Sequence, residues 1–251
     1  MAEPFDDPEV AADHRAPAGD DVIEYRMEIT DVQLGEPTAE GFVPVVQETT
    51  RGPIEMRYYP VDGATCGAIF VGGAGGGFDT PVRGWLYPRL CEQLQSDGIA
   101  CLRVRYREHN ELEECVMDVL AAISFLEADD VERIALVGHS FGGAVVIQAA
   151  ALSESVHTCV PLSTQTYGAD VVGQLGPRCS VLIAHGLEDE VLPPEGSRAV
   201  YRAANEPKRL MLKEGAHHGL DEWADELPDA IRQWIRNELT NDHGHNHGGN
   251  S

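Results

Sequence analysis

Residues 138–143 read Gly-His-Ser-Phe-Gly-Gly, a G-x-S-x-G motif. An apolar run, Arg133–Val137, precedes it, and a small-residue helical stretch, Phe141–Leu152, follows. A strand that turns sharply into a helix can expose a serine hydroxyl at the crest of the turn, provided the positions two residues away lack bulk. Gly138 and Gly142 meet that condition, and Gly143 permits further close approach. Ser140 then stands at a helix N-terminus, where the Phe141 N–H faces negative charge that develops beside the hydroxyl. The chemistry open to such a serine is attack on a carbonyl. The alternative is a glycine-rich turn with an idle serine.

A serine hydroxyl needs a base, and the base needs an orienting carboxylate. Two later loops supply candidates. The run Val181-Leu182-Ile183-Ala184-His185-Gly186 leads into Leu187-Glu188-Asp189-Glu190-Val191-Leu192-Pro193-Pro194, so Glu188, Asp189 and Glu190 compete for the acid's role. Arg209–Lys213 leads into Glu214-Gly215-Ala216-His217-His218-Gly219-Leu220, with His217 and His218 as candidate bases. A third loop, Gly72-Gly73-Ala74-Gly75-Gly76-Gly77-Phe78-Asp79, is rich in glycine. It lacks the Gly-Lys-Ser/Thr ending of a phosphate loop and the spacing G-x-G-x-x-G. Its backbone N–H groups suit a carbonyl oxygen instead.

These loops must be held by regular elements. Val22–Ile29 and Ile54–Tyr59 alternate apolar and polar residues, as half-buried antiparallel strands do. Gly67–Val71 is a continuous apolar run, and strand patterns recur at Ile99–Tyr106, Arg133–Val137, His157–Leu162, Ser180–His185 and Arg209–Lys213. Helical spacing falls between them at Arg83–Gln95, Glu111–Leu126, Phe141–Leu152, Gly196–Ala204 and Asp221–Leu239. Strands alternating with helices in this way predict a three-layer α/β fold with a mostly parallel sheet and antiparallel N-terminal strands. In such a sheet, functional groups gather beyond the C-terminal ends of the strands, which is where all three loops fall.

Gly138–Gly142, Gly186 to Asp189 with Val191 and Pro193, and Gly215-Ala216-His217-His218 together resemble the three signatures of the α/β-hydrolase superfamily. The likeness runs from about Ile54 to Leu239. It is nearest to compact members similar to dienelactone hydrolase, the prolyl-oligopeptidase catalytic domain and small esterases. The resemblance implies Ser140 as nucleophile, Asp189 as acid, three residues after Gly186, and His218 as base, from the pattern Gly-Ala-x-His. It implies Ala74 and Phe141 as the two oxyanion N–H donors. Dienelactone hydrolase carries a cysteine nucleophile where this chain has Ser140, so that activity is not implied. Relatives with a helical cap insert it after the sixth strand; Ser163 to Cys179 is too short for one. An open site follows, which Gly73, Gly75 and Tyr167 are expected to line. Arg105 and Arg107 are candidates either for an anionic substrate or for pairing with Glu111, Glu113 or Glu114.

The resemblance implies hydrolysis of an ester, thioester or related acyl bond, with neither metal nor organic cofactor. A short-peptide peptidase with the same residues, or a non-catalytic binding module on the same fold, are the alternatives. Composition narrows the partners. The 251 residues include 42 acids against 18 Lys and Arg, a formal charge of −24. Such a surface repels phosphates, which argues against nucleic acid and anionic membranes and leaves a small-molecule acyl substrate. No apolar run reaches the roughly 20 residues of a membrane span, and Met1 to Asp21 lacks a signal-peptide pattern. With six scattered cysteines and no C-x-x-C pair, buried free thiols and a cytoplasmic location are expected. Oligomeric state is not specified by the sequence. The expected organisation is an acidic flexible segment at 1–20, one domain at 21–240 and a flexible tail at 241–251. In that tail His243, His245 and His247 read as incidental, with loose metal binding the alternative.

Overall fold

Nine strands form one sheet in the order β1-β2-β3-β5-β4-β6-β7-β8-β9. The computed structural model describes residues 26–240. The strands are β1 (Ile29–Leu34), β2 (Val43–Thr49), β3 (Ile54–Tyr59), β4 (Cys66–Val71), β5 (Ile99–Arg105), β6 (Arg133–His139), β7 (Val156–Leu162), β8 (Ser180–Gly186) and β9 (Lys208–Lys213). β1 to β3 run antiparallel, β3 lies antiparallel to β5, and every pairing from β5 through β4 to β9 is parallel. The helices are α1 (Pro81–Gly84), α2 (Leu86–Ser96), α3 (Leu112–Glu127), α4 (Phe141–Leu152), α5 (Pro194–Ala203) and α6 (Leu227–Thr240).

The parallel strands β4 to β8 are largely apolar on both faces because both faces are covered, whereas the edge strand β9 is only half-buried. In β4, Ala68 and Phe70 join one buried cluster with Leu86, Leu90 and Leu94 of α2 and Ile231 and Ile235 of α6. Ile69 and Val71, on the opposite face, join Val116, Val119 and Ile123 of α3 and Val145 and Ile147 of α4. Two cores separated by one sheet make the expected three layers. Register then aligns the strand ends: Val71 pairs with Gly138, His139 with Leu162, Leu162 with Ala184 and Gly186 with Lys213. The loops after β4, β6, β7, β8 and β9 therefore leave the sheet along one edge.

Several elements differ from the sequence expectation. The first strand is Ile29–Leu34 rather than Val22–Ile29, of which residues 22–25 lie outside the described residues, and β2 is additional. A bulge between Ile29 and Asp31 breaks the alternation of β1, and Ile29, Val32 and Leu34 are exposed, so periodicity carried little signal there. The helix expected at Arg83–Gln95 is a single turn, α1, followed by α2. Val82 and Arg83 have φ of 57° and 52°, and α2 starts at Leu86 so that Pro88 falls in its first turn, where no intrahelical N–H is needed. Asp221–Leu239 likewise divides into a 3₁₀ turn, Asp221–Trp223, and α6, with Pro228 at its second position. Between β7 and β8 only a 3₁₀ turn at Asp170–Gln174 intervenes, so no cap domain covers this edge. All six cysteines are buried free thiols. Among the described residues, no helix is long and apolar enough to cross a membrane. The expected segments 1–20 and 241–251, with His243, His245 and His247, lie outside the described residues.

Candidate active site

β6 ends at His139, and α4 begins at Phe141, so a single residue turns the chain from strand to helix. That residue, Ser140, holds φ 58° and ψ −119°. Its N–H donates to the Leu162 carbonyl at 2.8 Å, and its own carbonyl accepts from Gly143 at 3.0 Å. The glycines of the motif are needed for space. A Cβ on Gly138 would collide with the Gly142 carbonyl, and one on Gly142 with the Gly72 carbonyl, so the elbow lies directly on the loop after β4. As the first residue of α4, Phe141 has an N–H with no acceptor inside its own helix.

The loop after β4 is held at both ends. Tyr87 donates to the Val71 carbonyl at 3.0 Å, and Arg103 Nη2 donates to the Phe78 carbonyl at 2.5 Å. Arg57 stacks on the Phe78 ring, 4.3 Å from its centroid. Between these ties, Gly73 is buried against the elbow: a Cβ there would stand 3.4 Å from the Ser140 Cβ. Ala74 and Gly75 follow, exposed to solvent. On the opposite side, the loop after β7 meets the elbow where Gln165 N–H donates to the Ser140 carbonyl at 3.4 Å. Two residues on, Tyr167 is 75% exposed. Gly73 is thus brought beside Ser140, Tyr167 stands exposed two residues beyond the Gln165 contact, and a Cβ on Gly75 would meet only open space.

Three consecutive acids after β8 each hold a different group of the loop after β9. Glu188 accepts the Gly215 N–H at 2.6 Å, and Glu190 pairs with His217 Nδ1 at 2.9 Å. Between them, Asp189 Oδ2 accepts from His218 Nδ1 at 2.7 Å. Their surroundings separate them: the Asp189 side chain is fully buried, whereas Glu188 and Glu190 are exposed. Burial alone would push the Asp189 carboxyl up. The Leu192 N–H, the His218 ring and the Val191 N–H outweigh it and hold the carboxyl below its ordinary value. Glu190 raises the affinity of His217 for its proton, but that pair lies at the surface.

His218 is tied to the elbow through His139. The His139 Nε2 donates to the His218 carbonyl at 2.9 Å, and the two rings lie 4.8 Å apart at 51°. Burial pushes His139 down to about 4, so it is neutral at ordinary pH. Sequence patterns did not mark His139, or His185 behind Asp189, as anything beyond neighbours of the motifs. Their signal lay in adjacency: each precedes a motif residue at the end of a core strand. Arg105 and Arg107 are engaged elsewhere. Arg105 pairs with Glu55 at 2.9 Å; Arg107 is buried against Asp118 at 2.5 Å and Glu114 at 3.0 Å. Among the described residues, no group of His, Cys, Asp and Glu is placed to hold a metal ion.

Residues 68–244, well over half the chain, match the sequence model of the alpha/beta hydrolase family. The chain belongs to that family. Its fold is similar to Est1E from Butyrivibrio proteoclasticus, with a TM-score of 0.65 and 20% identity over 75% of this chain and 96% of that one. It is also similar to a dienelactone hydrolase from Anabaena variabilis, with a TM-score of 0.65 and 16% identity over 76% of this chain and 94% of that one. An acetyl xylan esterase from a Paenibacillus species aligns with a TM-score of 0.67 and 18% identity over 83% of this chain and 88% of that one. No curated protein matches the sequence. At these identities the solved structures speak to the fold of this alpha/beta hydrolase, not to its substrate.

Proposed function

We propose that the protein is a serine hydrolase that cleaves an ester, thioester or related activated acyl bond. The observation that carries this reading is the 2.7 Å bond between a fully buried Asp189 carboxylate and His218 Nδ1, on a loop tied through His139 to the strained strand–helix turn that holds Ser140. With its Nδ1–H donated in a hydrogen bond to the Asp189 carboxylate, His218 keeps a lone pair on Nε2. That nitrogen takes the Ser140 proton as the hydroxyl attacks the substrate carbonyl. Negative charge builds on the carbonyl oxygen, and the N–H groups of Phe141 and Ala74 stabilise it, with the α4 N-terminus behind Phe141 adding its dipole. The leaving group takes the proton from His218, and the acyl group remains on Ser140. Water then attacks the acyl-enzyme with His218 again as base, and the acid departs. Gly73 allows the acyl carbon to approach Ser140 closely, and exposed Tyr167 offers an aromatic face to the substrate's outer portion.

Hydrolysis of p-nitrophenyl acetate tests the reading. The Ser140→Ala variant is expected to remain folded and to lose at least about 10³-fold in kcat. Turnover at the wild-type rate would remove Ser140 from the nucleophile's role. Comparable cleavage of aminoacyl amides would move the substrate class to short peptides.

A further inference from the structure

Asp189 has a second histidine behind it. His185, the penultimate residue of β8, is fully buried, and its Nε2 lies 3.0 Å from Asp189 Oδ2 and 3.0 Å from the Leu192 carbonyl. A carbonyl only accepts, so Nε2 carries the proton and shares it between the two oxygens. Nδ1 lies 2.6 Å from the hydroxyl of Ser197, a fully buried residue of α5. Burial holds His185 in its neutral form, so Nδ1 is bare and the Ser197 hydroxyl donates to it. The tautomer follows from the partners on both sides.

Asp189 Oδ1 accepts the Val191 and Leu192 N–H groups at 2.9 and 2.8 Å. With His218 and His185 on Oδ2, four donors surround a carboxylate that has about four acceptor positions. We propose that His185, oriented by Ser197, is a positioning residue for the catalytic acid: its Nε2–H occupies one acceptor position of Asp189 Oδ2 and so fixes the carboxylate plane that holds His218. The inference rests on the roles given above to Ser140, Asp189 and His218. The helix α5 is thereby coupled to the reaction through Ser197, His185, Asp189 and His218, though none of the first three meets substrate. The other titratable groups around this cluster are His139 from β6, Asp79 from the loop after β4, Glu188 and Glu190 beside Asp189, and His217 beside His218.

The consequence is electrostatic as well as geometric. A donor on Oδ2 draws charge away from the side of the carboxylate that faces the base. Without it, Asp189 stabilises the protonated base more strongly and orients it less well. The acid limb of the kcat/KM profile, which reports protonation of the base, is then expected to move to higher pH.

The test compares wild type, His185→Asn, His185→Gln, Ser197→Ala and Ser140→Ala in p-nitrophenyl acetate hydrolysis across pH, with thermal unfolding alongside. Asparagine reaches only the Nδ1 position, so His185→Asn keeps a Ser197 partner and loses the donor to Asp189. Its kcat is expected to fall on the order of tenfold at unchanged KM, far short of the roughly 10⁴-fold cost of disabling a triad acid. Its acid limb should move up by about half a pH unit. Glutamine places an N–H at the Nε2 position, and His185→Gln should return both quantities most of the way. Ser197→Ala should move them in the same direction as His185→Asn by a smaller amount. Wild-type profiles in both His185→Asn and Ser197→Ala, with only the melting temperature lowered, would show that His185 merely packs the strand end. If His185→Asn does not fold, a wild-type profile in Ser197→Ala alone overturns the proposal. Ser140→Ala separates the two levels: full turnover there removes the catalytic reading and this inference with it, whereas its loss beside unmoved profiles removes only the inference.

Discussion

Ser140 stands at φ 58°, where an L-residue crowds its own backbone, and such a conformation costs about 1–3 kcal/mol unless its surroundings impose it. The Leu162 and Gly143 bonds and the packing of Gly138 against Gly142 impose it here. His139, next to it, bears a related cost in protonation. Burial lowers its affinity for a proton to about 4, against about 6.5 in the unfolded chain. Between those values the unfolded state binds more protons than the folded one, so stability falls as pH drops from about 6.5 towards 4, by roughly 3 kcal/mol in total. The His139→Gln variant keeps a donor for the His218 carbonyl and cannot titrate. Urea midpoints at pH 7 and pH 4.5 are expected to converge in His139→Gln relative to wild type, and an undiminished gap would assign the acid sensitivity to other groups. Asp189 adds to acid sensitivity at lower pH. Its folded value is depressed, so its contribution is present above about pH 4 and is lost as pH falls further.

At the scale of elements, the site depends on two backbones in contact: α4 at Gly142 and the loop after β4 at Gly72. Gly142→Ala has no room for its methyl group unless that loop moves, and the loop carries the Ala74 N–H. The variant is expected to lose about 1–3 kcal/mol of stability together with most of its activity, read by urea unfolding and ester turnover. Stability and turnover near wild type would show that the loop can withdraw without cost. Much of this architecture was legible in the chain. Phe141–Leu152 is a helix with those boundaries, and β4 to β9 fall within two residues of their apolar runs; for β4 to β8 the reason is that strands buried on both faces are held to largely apolar sequence. β1 was not legible, since an edge strand with a bulge and exposed Ile29, Val32 and Leu34 has no face to reveal, and β2 places a polar residue, Gln47, at one of its two buried positions. The starts of α2 and α6 were expected too early because the helical spacing was followed through Pro88 and Pro228 rather than ended at them. In the site, spacing could not rank Glu188, Asp189 and Glu190, because all three touch the same loop. What separates them is burial, and burial is a property of how β8 and β9 sit together. The contact between His185 and Ser197 was invisible for the same reason: twelve residues apart in sequence, they meet only when α5 folds back on β8.

For the molecule as a whole, the charge of −24 bears on which substrates reach an uncapped site. Exposed Glu188, Glu190, Glu214 and Glu222 crowd the loop that carries His218, so the field at the site's rim is negative. On the proposed function, anionic esters are expected to be repelled from it, and neutral and cationic ones not. The kcat/KM ratio of a neutral ester to its carboxylate-bearing analogue is expected to be large in 0.01 M salt and to shrink severalfold in 1 M salt, as the screening length falls from about 30 Å to about 3 Å. A ratio independent of salt would place the discrimination in contacts rather than in the field. The claim on which the rest depends is that Ser140 is an activated nucleophile. A fluorophosphonate probe, followed by mass spectrometry of the digested protein, tests it most directly. One equivalent of adduct is expected on Ser140, and none in Ser140→Ala or in His218→Ala over the same interval. An unlabelled wild-type protein, or an adduct on another residue, would contradict it.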